Sequence, residues 1–99
     1  MNLAVRRKTM QNYTITYMKK LDINRFTEEM PVGEIEADLL GTAKRNASEY
    51  VNNWLIDKKL KIRNKTEWTK DIKRGGLVRE FMVSEGDTPA KLIFILREA

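Results

Sequence analysis

Cysteine and histidine are both missing from this 99-residue chain. Without them there is no disulfide, no thiol nucleophile, no zinc site of the usual kind and no histidine-based triad. A cysteine-free chain also suits a reducing cytoplasm. No apolar run is long enough to span a bilayer, and the first ten residues carry no secretory apolar core. The sequence therefore reads as cytoplasmic, with no membrane partner. Three Asn-x-Ser/Thr sequons, at Asn12, Asn46 and Asn64, are read as chance in that setting. Nothing calls for a metal or a cofactor, and no catalytic constellation stands out, so the chain is read as a non-enzyme.

What is present is an ordinary globular composition, 41% apolar and 33% charged, in a length that suits one domain. Residues 1–11 read as a flexible basic tail and residues 12–99 as a single α+β domain. The net charge of +5 is segregated. Lys58 to Leu77 holds eight basic residues against Glu67 and Asp71, and the first twenty residues hold five bases and no acid. Between them, Leu21 to Asp57 is acidic. A segregated positive field attracts polyanions, and nucleic acid is the commonest of them. The plain alternative is a basic hairpin kept soluble by its lysines.

Periodicity supplies the elements. Tyr13, Ile15 and Tyr17 alternate with threonines, predicting a strand. Ile23, Phe26 and Met30 are spaced for one face of a short helix, which Pro31 ends. Ile35, Leu39, Ala43, Ala47, Tyr50, Val51, Trp54 and Leu55 recur at helical steps. Gly41-Thr42 and the Asn46/Glu49 spacing argue for a break into two helices. One unbroken helix gives the same stripe at a cost of about 1 kcal/mol for the glycine. Beyond it, Leu60 and Ile62 alternate with lysine and arginine, predicting a basic strand. Asn64 to Arg74 reads as a polar loop, and Gly75-Gly76 as a turn. Leu77–Ser84 and Lys91–Arg97 read as strands around the turn cluster Glu85–Pro89.

Ala37-Asp38-Leu39-Leu40-Gly41, followed by Ala47 and Tyr50, resembles the helix-turn-helix pattern of DNA-binding proteins over Gly33 to Leu55. The small residue, the turn glycine and the later apolar pair stand where that family wants them, although Ala47 replaces a branched aliphatic and Tyr50 is bulky. With the strand at Tyr13–Tyr17, which a simple winged helix lacks, the fold expected is α+β: an N-terminal strand, then two to three helices including the helix-turn-helix. A three-stranded antiparallel C-terminal sheet or wing then follows. The resemblance implies a recognition helix from about Lys44, presenting Lys44, Arg45, Ser48 and Asn52, with Arg45 and Asn52 reading bases. The wing-like hairpin would bring Arg63, Lys65, Lys70, Lys73 and Arg74 to phosphate. Trp68 either stacks on a base or folds back onto the core.

The function expected is that of a small regulator of double-stranded DNA, of the kind a phage or other mobile element carries. A symmetric target would require a homodimer. Two other readings stand beside it. One is a protein-binding module that inhibits a host enzyme. The other is a ribonuclease toxin of the RelE and ParE type, which the strand–helices–three strands order resembles. There Arg63, Lys65, Arg74, Arg79 and Arg97 would hold RNA.

Overall fold

The computed structural model describes residues 10–99. Among them the chain forms seven strands and one helix: β1 (Gln11–Asp22), β2 (Arg25–Phe26), β3 (Met30–Ala37), α1 (Leu40–Asp57), β4 (Lys61–Lys65), β5 (Thr69–Asp71), β6 (Gly76–Glu85) and β7 (Thr88–Glu98). All strands join one antiparallel sheet. Its path is β2-β1-β7-β6-β4, with β3 also on β1 and β5 also on β6. The helix crosses one face. This overturns the expected architecture of two to three helices with a three-stranded sheet. The pairing of the first strand with the last two is present, as β1–β7–β6. The expected tail of residues 1–11 falls mostly on residues outside those described, and Gln11 already belongs to β1.

Both helical expectations before Leu40 fail for the same reason. Apolar residues three and four apart also satisfy a strand when a turn lies between them. The segment expected as a helix from Asp22 to Met30 is a hairpin. Ile23 sits in its turn, 78% exposed, while Phe26 packs on the sheet. Thr27 locks the hairpin to β1: its N–H donates to the Lys19 carbonyl, and its hydroxyl accepts from the Lys19 N–H, both at 2.9 Å. Glu34-Ile35-Glu36-Ala37 alternates polar and apolar residues and extends along β1, with Ile35 opposite Tyr13. Pro31 is tolerated because β3 is an edge strand.

The expected turn at Gly41 does not occur. The helix begins at Leu40, so Gly41 lies in its first turn, where a glycine interrupts nothing. Asn46 is not a cap. Its side-chain amide donates to the Glu36 carbonyl at 3.2 Å and ties the helix to β3. With Ala37 in a strand and no second helix before Lys44, the helix-turn-helix is not formed.

Ala43, Ala47, Val51 and Leu55 make the fully buried stripe of α1. The two alanines let the helix approach the sheet closely, which is why a branched residue is absent at Ala47. The stripe meets Tyr13, Ile15, Phe81, Val83, Leu92, Phe94 and Leu96 from the sheet. Gly33 supplies a seat on β3: a Cβ there would collide with the Tyr50 ring. No helix of the described residues is long and apolar enough to cross a membrane.

The other face of the sheet carries a small second cluster of Met18, Ile93 and Ile95, flanked by Phe26 and Val78. The turn before β6, with Gly75 at φ +70°, folds Arg74 over it. The Arg74 guanidinium lies 5.8 Å from the Phe26 ring centre and donates to the Met18 sulfur at 3.5 Å. Arg97 holds this turn through its Nε on the Arg74 carbonyl at 2.7 Å. Its two Nη groups bind both oxygens of Glu29, at 2.5 and 2.9 Å.

Candidate nucleic-acid interface

The strand β6 places Leu77, Arg79, Phe81 and Val83 on the helix side of the sheet by simple alternation. Arg79 is the one charge in that inward row. It lies opposite Phe94 and is only 7% exposed. Its Nε donates to the Thr66 carbonyl at 2.6 Å, and an Nη donates to the Ser48 hydroxyl at 2.7 Å. The guanidinium also lies 5.3 Å from the Phe81 ring centre and 5.9 Å from that of Trp68. Among the described residues no carboxylate pairs with it. Ring faces and a carbonyl offset part of the several kcal/mol that burying a cation costs, and a carboxylate would offset more.

Ser48 organises the surroundings. Its hydroxyl donates to the Lys44 carbonyl one turn back at 2.8 Å and accepts from Trp68 Nε1 at 2.9 Å as well as from Arg79. One donor and two lone pairs are thus all used. Thr66 fixes the loop between β4 and β5 by exchanging hydrogen bonds with the Glu80 backbone. The loop in turn lays Trp68 against the helix, 8% exposed. A cleft of about 340 Å³ opens over these groups. Lys44 and Arg45 rise from the helix side, Lys65 from the sheet edge, and Glu67 from the loop.

Five of the ten residues expected at a nucleic-acid site meet in this cleft: Lys44, Arg45, Ser48, Lys65 and Trp68. Ser48 takes a role other than the expected one, and Trp68 takes the second of its two expected roles. Ser48 has no hydrogen-bonding capacity left for a ligand, and Trp68 folds back into the core rather than standing out for stacking. The other five are dispersed. Asn52 is exposed on α1 one turn past Ser48. Arg63 is exposed at the irregularity where β4 shifts register on β6. Lys70 borders a separate hollow at the end of the sheet, with Leu40, Ile72 and Leu77. Lys73 is exposed in the turn before β6. Arg74 is spent on the opposite face, paired with Asp71 at 3.7 Å and laid on Met18 and Phe26. The expected polar loop from Asn64 to Arg74 is therefore the end of β4, a three-residue connection, β5 and the turn before β6, and its cations do not act together.

Arg79 is not among these ten and is expected to hold RNA only in the ribonuclease reading. Its signal was in the alternation, since a charge two residues from Phe81 and two from Leu77 must share their inward side. Comparison with protein-family models, with curated proteins and with solved structures returns no match to this chain.

Proposed function

We propose that this chain binds nucleic acid through the basic cleft between α1 and the β4–β5 edge, by contact with phosphate. The observation that carries the reading is the convergence of Lys44, Arg45, Lys65 and the carboxylate-free Arg79 on one concave surface, against a single acid, Glu67. Phosphate contacts of this kind give affinity and position without reading sequence. The regulator reading survives in that reduced form, without a recognition helix in the major groove.

The test is a binding titration of a labelled DNA duplex at several salt concentrations. With about four phosphates neutralised, log K falls against log salt with a slope of about −3 to −4. Replacing Lys44 or Lys65 by Ala lowers that slope by about 1 and weakens all sequences alike. A flat salt response would sink the reading and favour a protein partner.

A further inference from the structure

The cleft has a feature that binding along a phosphate backbone does not require. Its cation of greatest burial is recessed, and the cations at its mouth are not. Arg79 offers five N–H groups. Thr66 and Ser48 take two of them, and no other described residue takes the remainder. Lys44 is half-buried beside it, while Arg45 and Lys65 are exposed. No ion pair joins Glu67 to any of the four. Ser48, Thr66, Trp68 and Phe81 hold the guanidinium in place before any ligand arrives. A planar donor fork, fixed and short of acceptors, is the arrangement that takes a phosphate through paired charge-assisted hydrogen bonds.

Access decides which phosphate. An internal phosphodiester is esterified on both sides, so it presents two free oxygens and one charge, with chain leaving in both directions. A terminal phosphate has one ester bond, three other oxygens and a second negative charge near neutral pH. It can descend to Arg79 while its chain leaves past Lys44 and Lys65.

We propose that the cleft between α1 and the β4–β5 edge is a seat for a phosphomonoester, the terminal phosphate of a nucleic-acid strand, with Arg79 holding the phosphate at depth and Lys44 and Lys65 flanking its exit. The strand rests on the nucleic-acid reading above, whereas the phosphate seat rests on the cleft alone.

Two measurements on the full chain separate them. In the first, fluorescence anisotropy compares one oligonucleotide bearing a 5′-phosphate, a 3′-phosphate or only hydroxyl ends. One phosphorylated form binds about tenfold tighter than the hydroxyl form. That ratio collapses towards one in Arg79→Met and falls in Arg79→Lys, which keeps the buried charge and loses the planar fork, whereas Lys65→Ala weakens all three forms alike. In the second, inorganic phosphate is titrated while the Arg79 side-chain N–H signal is followed by NMR. Saturable movement of that signal supports the seat. If phosphate moves the signal and no oligonucleotide binds, the seat stands and the nucleic-acid reading falls. If all three oligonucleotides bind equally and phosphate leaves Arg79 unmoved, the seat is overturned and the nucleic-acid reading stands. No response in either measurement overturns both.

Discussion

Each face of the sheet is organised around an arginine, and the two are used in opposite ways. Arg97, on the face away from the helix, is partly open to water and grips both oxygens of Glu29. It also holds the Arg74 carbonyl, so every side of its guanidinium has a structural duty. Arg79, under the helix, is more deeply buried and has only a hydroxyl, a carbonyl and two ring faces. The more open cation has a carboxylate partner and the more buried one has none among the described residues. Structural demands alone would favour the reverse, because an uncompensated charge is costly in proportion to its burial. The face that carries the more buried arginine is also the face with the basic cleft. The Arg97 cluster is thus a clasp for three chain segments, and the Arg79 cluster is a surface prepared for an anion.

The contrast breaks most visibly at Ser48. Replacing it by Ala strands two buried donors at once, Trp68 Nε1 and an Nη of Arg79. The expected loss is about 2–3 kcal/mol, since each unsatisfied buried group costs about 1–3. Urea unfolding followed by circular dichroism measures it. A loss under half that size would mean that water already serves the cleft and that Ser48 does not hold Arg79 in place.

A smaller effect belongs to the clasp. Hydrogen bonding from Arg97 holds the Glu29 carboxyl down from its ordinary 4.5 to about 2, against the opposing effect of burial, with further help from Thr16 and the positive charge of Arg74. A carboxyl that is more acidic in the folded state contributes fully above the unfolded value. Its contribution fades as pH falls from about 4.5 towards 2. Because the pair is about one-third exposed, we discount the shift to about 1–2 kcal/mol at pH 7. Glu29→Gln should lose that much at pH 7 and should show a shallower acid limb over the same pH range. Parallel acid limbs for the two proteins would show that the clasp carries no net stability.

The smallest expected change is the most discriminating. Arg79→Met removes a buried charge and keeps most of the volume. In phosphate-free buffer its stability should stay within about 1 kcal/mol of the parent or rise above it. Arg97→Met should cost at least as much as Glu29→Gln, because it breaks the same pair and also the bond to the Arg74 carbonyl. If Arg79→Met is the more damaging of the two, Arg79 is a structural arginine like Arg97 and the comparison collapses.

Much of the sheet could be read from the chain. Tyr13-Thr14-Ile15-Thr16-Tyr17 and Leu92–Leu96 are strands by pattern alone, and they pair as neighbours in the structure. The charge of the site was legible too, in Lys44, Arg45 and Lys65. The helix boundary was not. Ile35, Leu39 and Ala43 keep a four-residue step across the junction of β3 and α1, and a step of four suits a helix and a strand alike. What separates them is the partner: Gln11–Tyr17 lies ready to pair with β3, and no local pattern records that.

The sequence by itself determined alternation, charge segregation and the apolar steps of Ala43, Ala47, Val51 and Leu55, because these depend on residues within a few positions of one another. Only the tertiary structure decided which cations act together. Glu29 and Arg97 are 68 residues apart, and Ser48 and Arg79 are 31 apart. Whether an arginine meets a carboxylate or an open cleft depends on how distant segments pack. The packing of the β2–β3 connection on β7 therefore made Arg97 a clasp, and the packing of α1 and the β4–β5 loop on β6 left Arg79 short of a counter-charge.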